Sequence, residues 1–326
     1  MKTGNRCLSL IVSAMLLLGI APAALGQSWP TKPIRFVVPF PPGGSVDPLA
    51  RLLAVRITGP LGQPVVVENH PGASGSIGAA VVAKAPPDGY TFLFVFDSHA
   101  VNPFLIPNLS FDTARDLAPV MLIGTAPMAI ATHPSRPHRN FDDVLKAAKA
   151  RPETISYGSI GSGSLGHLTM TMLQEAGGIK ANHIPYKGGG PLSQDLLGNQ
   201  VELGIASVAV MAPHAKAGKL RAIAVTGDKR SATMPDVPSL SEAGFPGFSA
   251  LAWWGVFAPA GTARPIVDRL NGEFASALKQ PDLNRQLTDQ LGLDIVSSSP
   301  DALQVFLLEQ MARWSKVVKQ HNIKGD

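Results

Sequence analysis

The chain has 326 residues, of which 45% are hydrophobic, and its formal net charge is +5. Its basic residues are spread along the chain without a cluster, so the charge pattern favours neither nucleic acid nor a membrane surface as a partner. The single cysteine, Cys7, excludes a disulfide within the chain. Stability must therefore come from a hydrophobic core, for which the length is sufficient.

The N-terminal segment 1–26 has the three parts of a secretory signal peptide. Two basic residues precede an apolar run over residues 8–20, and small residues follow just before Gln27. The run is shorter than the roughly 20 apolar residues of a transmembrane helix, so an uncleaved membrane anchor is the less favoured alternative. Because Cys7 precedes the run, a lipid anchor is not expected. The segment predicts export to the periplasm, with cleavage near Gly26/Gln27.

Short apolar runs then alternate with helical patterns, which predicts an α/β protein with largely parallel sheets. Strands are predicted at residues 34–40, 65–68, 91–96, 120–131, 155–157, 183–186, 203–206, 220–226 and 253–258. Helices are predicted at residues 47–58, 141–150, 165–176, 193–197 and 265–279. A last helix starts at Pro300, after the N-cap residue Ser299. Its core-facing stripe has three- and four-residue spacing and consists of Leu303, Phe306, Leu307, Gln310, Trp314, Val317 and Val318.

Two apolar runs have the features of strands that cross between lobes. The run 120–131 is long for one strand and contains Pro127, and the run 253–259 is placed to return the chain. We therefore predict two lobes, each a mainly parallel sheet flanked by helices, joined by two crossover strands. One lobe would comprise residues 27–125 and 253–326, and the other residues 126–252. Trp253 and Trp254 are expected in the core, with an aromatic ligand wall as the alternative.

The first candidate site is the loop 41–45, Pro-Pro-Gly-Gly-Ser, between a predicted strand and a predicted helix. Glycine lets the backbone approach a ligand closely, and the N terminus of the helix offers unpaired backbone N–H groups to an anion. Asp47, in the first helical turn, is interpreted as a cap of those groups rather than as a ligand contact. The alternative interpretation of the loop is a structural turn.

The second candidate site is the loop 158–164, Gly-Ser-Ile-Gly-Ser-Gly-Ser, which also lies between a strand and a helix. We expect it in the other lobe. With the residues that follow, it matches the G-x-G-x-x-G pattern of dinucleotide-binding proteins, which also requires an acidic residue about 20 positions later. The chain has no acidic residue there before Asp195. Dinucleotide binding is therefore not favoured.

An exported serine hydrolase is a further alternative, with Ser162 or Ser164 as nucleophile and His167 as base. The nucleophile elbow requires G-x-S-x-G, but Ser162 stands where the first glycine belongs. His167 is interpreted instead as a residue of the helix face. The eight histidines are scattered without the ligand spacing of metal sites. Neither a catalytic residue nor a metal ligand is predicted.

Three further segments stand out along the chain. Residues 69–78 form another glycine-serine turn before a helix, either in the site wall or with a structural role. Residues 97–99, Asp-Ser-His, follow a strand at its carboxyl end, where open α/β sheets bind ligands. Residues 185–191 end a strand and contribute an aromatic ring, a cation and three glycines.

Together, these segments resemble the Bug family, the extracytoplasmic solute receptors of tripartite tricarboxylate transporters. Among the matching motifs are V-P-F-P-P-G-G-x-x-D at residues 38–47 and P-D-G-Y-T at residues 87–91. The resemblance also includes residues 32–35, 72–75, 157–164, 185–191, 220–222 and 258–262. It covers nearly the whole chain after the signal segment.

The resemblance implies a type II-like, two-lobed periplasmic binding protein that closes over a small carboxylate and delivers it to a membrane permease. The ligand would be a di- or tricarboxylate, an aromatic carboxylate or an acidic amino acid. The implied contacts are Phe40, Pro42, Gly43, Gly44, Ser45, Ser98, His99, Ser159, Gly161, Ser162, Gly163 and Ser164. We expect a monomer without cofactor, metal or nucleic acid. A carboxylate sensor for a signalling kinase is an alternative.

Overall fold

The computed structural model describes residues 29–324, and the predicted signal segment lies outside them. The strands are β1 (Ile34–Val38), β2 (Val65–Asn69), β3 (Thr91–Val95), β4 (Leu117–Thr132), β5 (Ser156–Ser159), β6 (Asn182–Pro185), β7 (Leu203–Ser207), β8 (Arg221–Val225), β9 (Leu251–Pro259) and β10 (Asp294–Ile295). The helices are α1 (Val46–Leu61), α2 (Ser76–Ala83), α3 (Asn102–Leu105), α4 (Phe141–Ala150), α5 (Leu165–Gly177), α6 (Gly189–Leu197), α7 (Val208–Lys216), α8 (Arg264–Leu278), α9 (Pro281–Arg285) and α10 (Pro300–Gln320). Residues Ala73–Gly75 and Asp97–Ala100 form short 3₁₀ turns, and Gln286–Gln290 form a π-helical turn. Within the described range, no helix combines the length and apolar character that crossing a membrane requires.

The α/β prediction is confirmed, and each predicted strand is present. Helix α6 begins at Gly189, four residues before the predicted start. Helix α7 was not predicted. Its first five residues, from Val208 to Ala212, are all buried, so it has no amphipathic stripe that a pattern search could find.

The strands form one mixed sheet in the order β2-β1-β3-β9-β4-β7-β5-β6, with β8 and β10 also paired to β4. The outer strands are parallel, since β1 pairs in parallel with β2 and β3, and β5 with β6 and β7. Strand β9 runs antiparallel to β3 and β4, and β4 runs antiparallel to β7 and β8. Through β9 and β4, the strands β1 and β3 run antiparallel to β5 and β7, and the two groups join opposite parts of β4. Their carboxyl ends therefore point towards each other, which brings together the loops after β1, β3, β5 and β7.

Strand β4 pairs with strands of both predicted lobes, which are called below the first half (residues 27–125 and 253–326) and the second half (residues 126–252). Up to Pro127 it pairs with β9 and β10, and from Met128 onward it pairs with β7 and β8. Thr226 joins the two crossings, because its Oγ1 accepts from the Met128 N–H at 2.9 Å and its carbonyl accepts from the Ala250 N–H at 2.9 Å. From this change of partners we propose that the two lobes meet at residues 126–128 and 250–252.

The tryptophans at the return crossing belong to the core, as expected. Trp253 and Trp254 are fully buried, and Trp254 packs behind Phe96 with ring centroids 5.0 Å apart. In α10, Leu303 and Leu307 are also buried, and the polar member of its stripe, Gln310, accepts a hydrogen bond from Trp314 at 3.0 Å.

Candidate functional site

Three helices begin at one small cavity at the carboxyl ends of the strands. Their N-cap residues are Ser45 for α1, Gly188 for α6 and Ser207 for α7. The cavity is lined by Phe40, Gly44, Ser45, Val46, Phe96, Ile160, Gly189, Ala206, Ser207 and Val210. The centre of a water molecule can occupy about 20 Å³ of this cavity, so the cavity can hold one water molecule.

The attraction of this cavity for an anion comes from the backbone. Each helix N terminus carries about half a positive elementary charge and leaves its first four N–H groups without an intrahelical partner. Ser45 and Ser207 add buried hydroxyl groups. None of the side chains that line the cavity in the described part of the chain is charged. Such a site can hold a carboxylate without a buried cation.

The first loop, residues 41–45, is held in place from behind. The Ser45 Oγ accepts a hydrogen bond from the Trp254 indole N–H at 3.2 Å. Asn69 donates from Nδ2 to the Phe40 carbonyl at 3.0 Å and to the Asp47 carboxylate at 2.8 Å. These contacts tie the end of β1 and the first turn of α1 to the sheet.

The prediction that Asp47 caps α1 is wrong. The N-cap residue is Ser45, and the helix has no side-chain capping hydrogen bond. The Asp47 carboxylate instead forms an ion pair with Arg51, one turn further along, at 2.9 Å. Together with Asn69, Arg51 draws the carboxylate to the side of the helix and away from its N terminus.

A third glycine loop, residues 188–190, faces the first loop across the cavity. The ideal Cβ position on Gly190 is 2.9 Å from the Pro42 carbonyl oxygen, and that on Gly43 is 3.4 Å from the Gly190 Cα. Gly188 has a φ of +135°, which favours glycine. Side chains at Gly43 or Gly190 would therefore crowd the two loops, and this close approach is what the glycines provide.

The predicted second loop, residues 158–164, contacts a different part of the first half. The Ser74 hydroxyl donates to the Ser162 carbonyl at 3.1 Å, and a Cβ on Gly163 would overlap the side chain of Leu105. From this loop, Ile160 lines the cavity. Ser164 is the N-cap residue of α5, as its position before the helix suggests, and accepts from the His167 N–H at 3.4 Å.

Asp97 lies where this loop meets the first half. It is buried, and its Oδ1 accepts from the Leu165 N–H at 3.3 Å. Its Oδ2 is buried without a hydrogen-bond partner among the residues that the structure describes. Burial raises the pKa of the Asp97 carboxyl group to about 8, against the smaller lowering effect of the backbone N–H groups of Leu165 and of its own turn.

The two neighbours of Asp97 were both predicted as ligand contacts. Ser98 turns its hydroxyl to the Ser74 carbonyl, at 2.8 Å. The His99 ring is buried between Phe111 and Phe257, with centroid distances of 6.4 and 5.2 Å. Burial lowers the pKa of His99 to about 3, so the ring is neutral near pH 7.

The histidines of the second half stabilise the loop 158–164. The Ser159 hydroxyl donates to the Gly161 carbonyl at 3.0 Å, so it accepts from the His183 Nε2–H, 2.7 Å away. The His167 Nδ1 accepts from the Gly163 N–H at 3.0 Å, which places the proton of the neutral ring on Nε2. The two rings stack, 3.9 Å apart.

The structure thus brings together only part of the predicted contact set. Phe40, Gly44 and Ser45 line the cavity, and Pro42 and Gly43 lie in the loop that faces Gly190. Ser159, Gly161, Ser162, Gly163 and Ser164 build the loop around Ile160. A ligand-contact role for each of these residues stays a prediction. Residues 29–324 contain no group of three potential ligands that could hold a metal ion.

Sequence reasoning missed several of the residues that line the cavity. Gly189 lies in the segment 185–191, which was singled out without a role. Ser207 and Val210 follow the apolar run of β7, so their position after a parallel strand was the available signal.

Comparison with known proteins identifies the class. Residues 49–323 match the model of the tripartite tricarboxylate transporter family receptor, TctC, and the chain belongs to this family. It is 37% identical to the protein BugT of Bordetella pertussis over 322 residues, which cover 98% of each chain.

Similarity to solved structures supports the same family assignment. The periplasmic binding protein BugD has 36% identity and a TM-score of 0.86, over 91% of this chain and 100% of that one. A protein of R. palustris solved with adipate has 35% identity and a TM-score of 0.87, over 91% and 99%. MatC of Rhodopseudomonas palustris with bound malate has 31% identity and a TM-score of 0.83, over 89% and 100%. The chain is therefore a periplasmic solute-binding receptor of the TctC/Bug type.

Proposed function

We propose that this receptor binds a small carboxylate at the N termini of α1, α6 and α7 and delivers it to the permease of a tripartite transporter. The observation that carries the proposal is the convergence of three helix N termini on a cavity without charged side chains. The adipate and malate bound to two related structures support a carboxylate as the ligand.

We further propose that the ligand enters when the two halves separate and is held when they close. The cavity has room for about one water molecule, so a ligand can enter it only when the loops 41–45 and 188–190 move apart. The crossings β4 and β9 provide the hinge, and hinge closure around a ligand is an established motion. The segment 1–26 would direct the receptor to the periplasm, where it would act as a monomer.

Thermal-shift and calorimetric titration of the protein without residues 1–26 test the proposal. The panel contains malate, adipate, a tricarboxylate, an aromatic carboxylate and an acidic amino acid, with a sugar and an amine as negative controls. We expect at least one carboxylate to raise the melting temperature, because a ligand that binds the folded state stabilises it by mass action. A shift with the sugar or the amine and with none of the carboxylates would overturn the proposal.

The variant Gly190→Ala tests closure at this cavity. Its methyl group would lie 2.9 Å from the Pro42 carbonyl oxygen, which hinders closure, whereas alanine is the better helix former. We expect an affinity at least about tenfold lower, with the unliganded melting temperature unchanged or higher. The control Gly272→Ala, in α8, adds a methyl group where no atom lies within 4 Å and should bind like the wild type. Equal affinity of both variants would argue against closure here.

A further inference from the structure

At Asp97, a carboxyl group of the first half accepts a hydrogen bond from a helix N terminus of the second half. Asp97 belongs to the 3₁₀ turn after β3 and accepts from the Leu165 N–H, the first residue of α5. The N terminus of α5 therefore already has an acidic partner from within the chain.

The environment of Asp97 disfavours a negative charge. The side chain is 1% exposed, and Oδ2 has no hydrogen-bond partner in the described structure. The ion pairs found among residues 29–324 do not include Asp97. Asp97, which is buried without a cation, takes up a proton because the loss of its hydration costs more than the backbone N–H groups of Leu165 and of its own turn return.

We propose that Asp97 is a positioning residue that couples closure of the receptor to the uptake of one proton. In the open state the two halves separate, and the Asp97 carboxyl group is exposed to water and ionised. Closure buries it against Leu165, where the neutral acid is favoured. The inference rests on the proposed closure around a ligand and adds the regulation of that closure by pH.

The other titratable groups near this contact are histidines. His99 lies on the turn of Asp97, with its pKa lowered to about 3 by burial, and stays neutral. His167 lies in the first turn of α5 and stacks on His183. A carboxylate bound in the cavity would add a like charge, which favours protonation of Asp97 as well.

The direction in which ligand affinity depends on pH follows from the shift in the pKa of Asp97. The pKa of Asp97 is raised to about 8 in the closed state, and an exposed aspartate has a pKa near 4. Protonation of Asp97 therefore stabilises the closed state in full below pH 4. This stabilisation is lost as the pH rises through 8. Between these values the affinity for a carboxylate should fall about tenfold per pH unit, and above pH 8 it should level off.

Calorimetric titration of the wild-type protein with adipate and with malate measures the coupling directly. The carboxyl groups of both are ionised above about pH 6.5, so their own protonation does not interfere. In two buffers of different ionisation enthalpy at that pH, we expect uptake of about one proton per ligand bound. Tight binding without proton uptake would overturn the inference and leave the proposed function intact, whereas absence of binding would count against the proposed function itself.

The variant Asp97→Asn separates this role from that of the histidines. Asparagine has the shape of the neutral acid and can still accept from the Leu165 N–H. We expect its proton uptake to be lost and its affinity at pH 8.5 to exceed that of the wild type by about 25-fold, if the two agree near pH 6.5. The control Asp236→Asn removes the same charge from an exposed loop and should keep the wild-type profile. A pH profile of Asp97→Asn that matches the wild type would assign the dependence to other groups and overturn the inference.

Discussion

At the scale of single residues, the site depends on side chains that hold the backbone and do not line the cavity. The amide of Asn69 bonds to the Phe40 carbonyl and to Asp47, and its Oδ1 accepts from Arg51 at 3.0 Å. One side chain from β2 thus fixes both the end of β1 and the first turn of α1. A backbone anion site requires this support, because N–H groups bind an anion well only when they are already oriented.

We expect Asn69→Ala to lower the free energy of unfolding by about 1–3 kcal/mol, since two acceptors lose a donor, and to weaken carboxylate binding. The matched control is Asn271→Ala. Asn271 also donates two hydrogen bonds, at 2.8 Å to the Val120 and Ser298 carbonyls, but lies in α8, away from the cavity. Denaturant titration and calorimetry should show similar destabilisation of both variants and a loss of affinity in Asn69→Ala alone. Equal affinities would show that Asn69 has no role in orienting the loop.

At the scale of secondary-structure elements, the sequence predicts the strands and the start of α1 and α5, because their apolar runs and N-cap residues are local signals. It places the start of α6 four residues too late and misses α7. Gly189 and Gly190 have weak helix propensity, and the first turns of α7 are buried on every side. The pairing of the loops 41–45 and 188–190 depends on sheet order, which no local pattern contains. The sequence therefore predicts the loop 41–45, which lines the cavity, but not its contact with residues 188–190, and a ligand-contact role for the loop 158–164 stays a prediction.

The role of the helix N termini can be tested with a charge placed among them. Val210 lies in the first turn of α7 and lines the cavity. In Val210→Asp, the new carboxylate should interact favourably with the helix N terminus and repel a bound anion. We expect a roughly hundredfold loss of carboxylate affinity, from like charges several ångströms apart in a partly buried site.

The control for this experiment is Val210→Asn, which has nearly the same shape without the charge. Calorimetry should show that Val210→Asn binds much more tightly than Val210→Asp. If the two variants bind equally, sterics and not charge determine binding, and the anion-site interpretation of α7 fails.

At the scale of the whole molecule, the two halves are joined through Thr226. It is fully buried, and its hydroxyl group accepts from the Met128 N–H of β4 and donates to the Ala250 carbonyl just before β9. Both crossings therefore converge on one side chain. The proposed closure would bring loops on opposite sides of these crossings into contact, so the geometry of the crossings would determine how precisely the loops meet.

We expect Thr226→Val, which keeps the shape but removes the hydroxyl group, to lower the free energy of unfolding by about 2 kcal/mol or more, because the Met128 N–H and the Ala250 carbonyl lose a buried partner. If the hinge also aligns the halves, carboxylate affinity falls as well, although Thr226 does not line the cavity. The control Thr58→Val removes a hydroxyl group that bonds within α1, to the Ala54 carbonyl at 2.8 Å, and should leave affinity unchanged.

Small-angle scattering with and without saturating adipate or malate checks the mechanism, because the wild type should become more compact with ligand and Thr226→Val less so. If Thr226→Val binds the carboxylate and becomes compact with ligand as the wild type does, Thr226 only stabilises the fold. The loops would then determine closure.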